Sequence, residues 1–259
     1  MRTCALQSGS NGNCYYVESD GVKLLFDAGI SGRQAELRLD ALGRNIRRAD
    51  ALILSHNHID HVRGAGILHR KFGLPIHATQ ATFDRSRGVI GKVTAPRFFK
   101  SGASLTFGRV TVETYKTPHD GYDCVMFIVD DGVRRLGIFS DLGHPFRQLT
   151  EVIGTVDACY LESNYDDHML ETGSYPDDLK RRIRGKGGHI SNVEAAELVR
   201  DSANGRLRLL VLAHLSEQNN DPAVALQTHR RVLGDGRVPD HDCRIEVASR
   251  YGATEMFEV

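Results

Sequence analysis

The sequence predicts an α/β protein, a sheet core with helices packed outside it, and three observations lead there. Short β-prone apolar runs alternate with segments that carry helix-capping residues along most of the chain. Several of those runs end in Asp or His, the residues that an open α/β sheet gathers at the carboxyl ends of its strands. At 259 residues, with 41% hydrophobic and 25% charged, the chain is long enough for a sizeable core and shows no bias towards disorder.

Lys plus Arg and Asp plus Glu stand at 33 each, so no global positive field marks a nucleic-acid binder, and an anionic partner must be gripped locally. No stretch is long and apolar enough for a membrane span and the first residues have no apolar h-region, so a cytoplasmic protein with no membrane partner is expected. Cys4, Cys14, Cys124, Cys159 and Cys243 are odd in number and widely spaced. They read as reduced, buried small hydrophobes rather than disulfides or a thiolate metal site.

In chain order, residues 14–17 and 22–26 form a hairpin divided by Ser19-Asp20-Gly21, and Asp27 follows the second strand. The preceding loop Ser8-Gly9-Ser10-Asn11-Gly12-Asn13 is tight and polar. Ser31 and Gln34 make a capping box for a helix that Gly43 closes, and residues 51–54 are a buried strand. Residues 62–72 read as helix, with Gly64 and Gly66 letting its first turn approach a site closely, and residues 74–78 as strand. Residues 104–107, 110–115, 124–129 and 135–140 are β-patterned, with a hairpin turn at Asp131-Gly132 and with His119 and Asp141 beside strand ends. Residues 158–161 are a strand leading into Glu162-Ser163-Asn164, and residues 165–188 a polar segment suited to a small lid or substrate arm. Ser191 and Glu194 cap a helix to about residue 201, and residues 206–213 are a strand ending at His214. Asp221-Pro222 opens a helix, and residues 243–248 and 254–259 are the last strands.

The richest stretch is Ser55-His56-Asn57-His58-Ile59-Asp60-His61, three imidazoles and a carboxylate directly behind a buried strand. His56 and His58 share a side while the backbone stays extended, and Asp60 and His61 turn away as a helix begins. Imidazole and carboxylate together suit zinc, manganese or iron. With the other strand ends, two ligand sets can be assembled, His56, His58 and His119 in one, Asp60, His61 and His214 in the other. Asp141 can bridge them, and two divalent ions so placed share a hydroxide and clamp both oxygens of a displacement. His69, His77, His144, His168, His229 and His241 read as ordinary core or surface residues.

His56-x-His58-x-Asp60-His61 with His119, Asp141 and His214 downstream resembles the metallo-β-lactamase superfamily of binuclear hydrolases. The resemblance spans nearly the whole chain and implies a single domain over 1–259, a four-layer αβ/βα sandwich, with Asp27 orienting a ligand histidine from outside the metal shell. Asp141 stands where the commonest lactamases carry cysteine, which directs the expectation away from lactams. Gly188-His189-Ile190-Ser191-Asn192 looks like the extra catalytic histidine of tRNase Z-type and PhnP-type phosphodiesterases, with a helix end beside it offering free N–H groups to an anion. The basic run from Lys180 to Lys186, including Arg182 and Arg184, is consistent with phosphate contacts.

The loop 8–13, Leu161-Glu162-Ser163-Asn164, the 188–192 stretch and Ala213-His214-Leu215-Ser216-Glu217 together look like the YycJ/WalJ subgroup, which implies a bacterial cytoplasmic DNA exonuclease. Tyr165 stands where that subgroup commonly has histidine. The expected function is therefore a two-metal phosphodiesterase acting on DNA or another nucleic acid without an obligate protein partner. Asp60 and His189 are its catalytic residues, and Ser10, Asn13, Asn164, Ser191, Arg182 and Arg184 its substrate contacts. Two other classes compete: a glyoxalase II-like thioesterase and a non-catalytic metal-dependent nucleic-acid-binding module.

Overall fold

The computed structural model describes every residue except Ala203, Asp235, Gly236, Pro239 and Asp240, with residues 237–238 and 241–242 as backbone only. The chain divides into two compact units. The first comprises Met1–Lys116, Gly121–Gly132 and Ser249–Glu258, the second Thr117–Asp120, Val133–Ala248 and Val259.

In the first unit, β1 (Arg2–Gln7), β2 (Cys14–Ser19) and β3 (Val22–Phe26) form an antiparallel meander, with the C-terminal strand Phe257–Glu258 added to the edge of β1. Asp20 and Gly21 turn the hairpin with φ of 48° and 80°. After α1 (Gly32–Ala41), capped by the reciprocal Ser31 and Gln34 contacts, β4 (Ala51–Ile53) pairs parallel to β3. Two short helices follow, α2 (Ile59–Val62) and α3 (Ala65–Phe72), and then β5 (Ile76–Thr79), α4 (Gln80–Ile90) and β6 (Arg97–Phe99), the strands extending the parallel half of the sheet. Strands β7 (Ser104–Phe107), β8 (Val110–Lys116) and β9 (Val125–Asp130) form a separate antiparallel ladder. The core joins both: the rings of Phe26 and Phe127 lie 5.1 Å apart.

The second unit is a parallel sheet with helical crossovers, as strands buried on both faces require. Its elements are β10 (Arg135–Phe139), α5 (Arg147–Ile153), β11 (Ala158–Glu162), α6 (Asp167–Thr172), α7 (Asp177–Arg184), α8 (Asn192–Ser202), β12 (Leu209–Ala213) and α9 (Pro222–Leu233). A two-residue ribbon, β13 (Arg237–Val238) with β14 (His241–Asp242), precedes β15 (Arg244–Val247). The parallel order is β15-β12-β11-β10, and every residue of β11 and β12 is buried.

Several expected boundaries move. The helix anticipated over 62–72 is broken at Arg63 and Gly64, because the carbonyls that would continue it are claimed elsewhere: Asp60 accepts from the Asn13 N–H at 2.8 Å and His61 from the Ala28 N–H at 2.7 Å. Gly64 and Gly66 are required by packing rather than by approach to a site, since a Cβ there would stand 2.0 Å from the Ile30 carbonyl and 1.7 Å from that of Ile90. Residues 165–188, read from the sequence only as a polar segment, carry α6 and α7. The strand expected over 206–213 begins only at Leu209, and the two C-terminal strands shorten to Arg244–Val247 and Phe257–Glu258. Helix α4 and strand β6 were not anticipated: Thr79 caps α4 through its hydroxyl, but Thr, Ser and Gly inside the helix leave little apolar periodicity to read.

Candidate metal centre

The first unit supplies the histidine cluster. Strand β4 ends at Ile53 and the chain runs extended through His58, whose φ of −65° and ψ of 149° cap α2. The ring centroids of His56 and His58 lie 4.6 Å apart and those of His56 and His61 4.1 Å, and the His56 and His61 rings are buried. Such crowding of imidazoles around one volume suits a cation that draws on their lone pairs. Asp27 holds the cluster from behind. Its Oδ2 accepts from Ser55 Oγ and His61 Nδ1, each at 2.8 Å, and its Oδ1 from the Ser55 N–H at 2.8 Å. With Nδ1 of His61 donating to a carboxylate, the ring's lone pair sits on Nε2, where Asn13 Nδ2 lies 3.0 Å away. Ser55 Oγ also lies 2.9 Å from Nδ1 of His56.

Asn13, expected at the substrate, is fully buried and spends its side chain on the cluster and its own loop. Its Oδ1 accepts from Ser8 Oγ and the Gly9 N–H, while Nδ2 lies 3.3 Å from Asp60 Oδ2 and 3.0 Å from His61 Nε2. Ser10 is exposed on the same loop. The close approach is possible because Gly29 has no Cβ; one would fall 1.6 Å from the Asp60 carbonyl.

The second unit brings His119, Asp141, His189 and His214 together around Glu162. His119 directs Nδ1 to the Gly188 carbonyl at 2.9 Å and Nε2 to Asp141 Oδ1 at 3.4 Å. Oε1 of Glu162 accepts from Nδ1 of His189 at 2.8 Å and of His214 at 2.9 Å. Asp141 Oδ1 stands 3.8 Å from His189 Nδ1 and 3.6 Å from His214 Nδ1. Ligand-type atoms of Asp141, Glu162, His189 and His214 lie within 4.8 Å of one another, with Nδ1 of both histidines committed to Glu162.

Glu162 was missed as a site residue, although a carboxylate closing strand 158–161 follows the same strand-end rule that singled out Asp27 and Asp141. Burial alone would raise its pKa, but His189 and His214 hold it well below the ordinary carboxylate range, at about 2. It also takes the N–H groups of Leu142 and Ile190 on Oε2. That corrects the expectation of free N–H groups beside His189. The Ile190 N–H goes to Glu162, that of Ser191 to Glu194, that of Asn192 to Tyr165 and that of Glu194 to Ser191 Oγ, so the anion at this helix start is internal.

Backbone strain marks the same residues. Asp27, Asp141 and His214 have φ of 59°, 57° and 54°, the left-handed region, each within two residues of a strand end. Asn164 fixes one of these turns by donating from Nδ2 to the His214 carbonyl at 2.7 Å. Of the remaining expected contacts, Ser191 is buried in its capping box, and Tyr165 is buried with its carbonyl on the Asn192 N–H. Arg182 pairs with Asp120 at 2.7 Å and Arg184 with Glu171 at 2.6 Å, so both guanidiniums carry a carboxylate partner.

His77 and His229 are buried, as expected for ordinary core residues, and burial lowers their basicity to about 4 and about 3. The side chain of His241 lies outside the described residues. All five cysteines are free and buried, and burial pushes the Cys4 and Cys243 thiols up to about 12, which disfavours thiolate ligation. No helix among the described residues is long and apolar enough to cross a membrane.

Comparison with known proteins agrees with this ligand chemistry. The metallo-beta-lactamase superfamily profile matches residues 8–184. The chain is 36% identical over 256 residues to the exodeoxyribonuclease YycJ of Bacillus anthracis, covering 98% of this chain and 92% of that one. It is 33% identical over 229 residues to the exodeoxyribonuclease WalJ of Streptococcus pneumoniae, covering 86% and 84%. Among solved structures, the metallo-beta-lactamase fold protein YhfI of Bacillus subtilis superposes with a TM-score of 0.74 at 19% identity over 98% of each chain. The mixed sheets with helices are thus those of the metallo-β-lactamase fold, and the chain belongs to the metallo-β-lactamase superfamily of hydrolases.

Proposed function

We propose that this chain is a two-metal phosphodiesterase that degrades DNA in the cytoplasm. The observation that carries the reading is His189, an imidazole at the site that is one-fifth exposed and tied by Nδ1 to the buried Glu162 carboxylate. A carboxylate behind the ring fixes Nδ1 and leaves Nε2 as the nitrogen through which a proton can pass to a departing oxygen. A thioester, whose leaving group is a stabilised thiolate, has less need of such an acid. The names of the YycJ and WalJ relatives, both exodeoxyribonucleases, support nucleic acid as the substrate class.

In this reading His56, His58 and His119 would hold one divalent ion and Asp60, His61 and His214 the other, with Asp141 available to both. Zinc and manganese both suit these ligands, and iron is compatible. When bound, the ions supply a water acidified to roughly neutral pH and neutralise charge on the phosphodiester. The side chains do the rest: Asp60 orients the attacking water, Asp27 and Glu162 fix the imidazoles, and His189 protonates the leaving oxygen. Ser10 remains exposed for substrate, whereas Asn13, Asn164 and Ser191 act on the framework beneath it.

The test is one purified preparation, reconstituted in turn with manganese, zinc and iron, assayed on bis(p-nitrophenyl) phosphate, end-labelled DNA and S-lactoylglutathione. Cleavage of both phosphodiesters with no thioester turnover is expected. Thioester turnover without phosphodiester cleavage would overturn the proposal, and tight DNA binding without cleavage under any metal would replace it with a binding role.

A further inference from the structure

The first unit carries a second concavity whose chemistry the metal site does not use. It has a volume of about 810 Å³, and helix α1 presents its first turn to it beside Arg38, Arg63, Ile67, Arg250 and Tyr251. Arg33, also in the lining, is exposed at the start of α1. No Asp or Glu belongs to the lining, so four guanidiniums and a helix N-terminus face one groove without a carboxylate in it, in a chain whose net charge is zero.

Two of the guanidiniums, those of Arg38 and Arg63, are held by backbone carbonyls. Arg63 donates to the carbonyls of Gly29 at 3.1 Å and Asn11 at 2.7 Å, and Arg38 to those of Leu6 at 3.0 Å and Tyr251 at 2.9 Å. Backbone carbonyls orient a guanidinium while leaving its full charge for an anion. Tyr251 is 69% exposed, an unusual setting for a ring of that size, with the Arg250 guanidinium 5.8 Å from its centroid. Ile67 is 46% exposed on the same lining. Fixed positive charge interleaved with an exposed aromatic face is the chemistry that tracks a sugar-phosphate backbone and stacks a base.

We propose that this groove is a docking track for a single strand of nucleic acid, with phosphates against Arg33, Arg63 and Arg250 and a base on Tyr251. The inference deepens the phosphodiesterase reading and rests on it for the biological substrate. It also explains the two faces of loop 8–13. Asn11 receives Arg63 at the groove, while Asn13, two residues on, reaches Asp60 and His61, so a strand seated in the groove bears on the loop that holds the metal ligands.

The experiment is equilibrium binding of a fluorescently labelled single-stranded DNA 12-mer to the full chain, followed by anisotropy over a salt series. Three exposed-residue variants are compared with the parent: Arg33→Glu, Tyr251→Ala and, as a charge-matched control away from the groove, Arg109→Glu. Arg33→Glu should weaken binding and flatten the salt slope by at least about 0.7, one phosphate contact's share. Tyr251→Ala should weaken binding about tenfold with the slope unchanged, as loss of one stacked base requires. Arg109→Glu should bind as the parent does.

Equal weakening by Arg33→Glu and Arg109→Glu, or no effect of Tyr251→Ala, would overturn the groove as a strand site. So would a parent protein that cleaves DNA yet binds the 12-mer equally well in all three variants, and that result would leave the phosphodiesterase reading standing. Groove-dependent binding by a protein that hydrolyses no phosphodiester would uphold the groove and remove the catalytic reading instead.

Discussion

Nδ1 of His214 lies 2.9 Å from Oε1 of Glu162, a buried carboxylate that the strand β11 delivers to the floor of the site. The same oxygen takes Nδ1 of His189, so one charge orients both a metal-type histidine and the histidine assigned to proton transfer. Replacing Glu162 with Gln keeps the shape and removes that charge. Glu162→Gln should lower kcat/KM for bis(p-nitrophenyl) phosphate about 10- to 100-fold with a smaller loss of metal, measured by turnover and by elemental analysis of the same sample.

His189→Ala separates acid catalysis from metal binding. Rate should fall about 10²- to 10⁴-fold while metal content stays at the parental level. Loss is expected to be smaller for a diester with a good leaving group such as p-nitrophenolate than for DNA, since such a group needs little protonation. Equal losses on the two substrates would contradict the assignment.

Asp141 lies within 3.4 Å of His119 Nε2 and 3.6 Å of His214 Nδ1. As the carboxylate shared by both ions in the proposed arrangement, its removal should cost metal and not only rate. Asp141→Ala should therefore bind markedly less metal after dialysis than His189→Ala, and excess manganese should restore little activity.

Acid stability should be limited by two buried histidines, one in each unit. His77 packs on Phe107 with ring centroids 5.2 Å apart, and His229 places Nε2 3.2 Å from Ser163 Oγ. Burial lowers both from an ordinary 6.5, to about 4 for His77 and about 3 for His229, so the folded state requires them neutral. Their contribution is complete above pH 6.5, where the unfolded chain is also neutral. It is lost progressively as pH falls towards the folded-state values, because the unfolded chain alone takes up protons in that window. The urea midpoint of metal-free protein should fall between pH 7 and pH 5, roughly where a free imidazole titrates, and His229→Gln should flatten that dependence. A midpoint constant across this interval would refute it.

Gly29→Ala tests the backbone contact under the histidine cluster. A Cβ at that position would stand 1.6 Å from the Asp60 carbonyl and 2.5 Å from the Asn13 nitrogen, so the cluster or the loop must move. A loss of about 1–3 kcal/mol in stability is expected from such overpacking, together with weaker metal binding, read by thermal melts with and without metal.

Much of this site was legible in the chain because its residues obey a local rule. A buried strand followed by His or Asp identified 27, 56–61, 119, 141 and 214 without knowledge of any contact. Glu162 obeyed the rule and was passed over, because nothing in its own neighbourhood separates a carboxylate that organises two histidines from one that ends a strand. Helices α6 and α7 were hidden by their polarity: Leu179 and Ile183 are the only apolar residues of Asp177–Arg184 and neither is buried, while α6 buries only Leu170, so the apolar stripe that marks a helix is two residues at most. The break between α2 and α3 could not be read either, since it depends on Asn13 and Ala28 claiming two helical carbonyls from far away in the chain.

What the sequence determined by itself is the inventory: the fold class, the strand ends, and the imidazoles and carboxylates they carry. The tertiary structure decided which nitrogen each imidazole presents. His61, His119 and His214 all commit Nδ1, to Asp27, to the Gly188 carbonyl and to Glu162, which makes Nε2 the ligand-type nitrogen of each ring. A histidine's two nitrogens are equivalent in the sequence and become distinct only when a partner 34, 69 or 52 residues away accepts one of their protons.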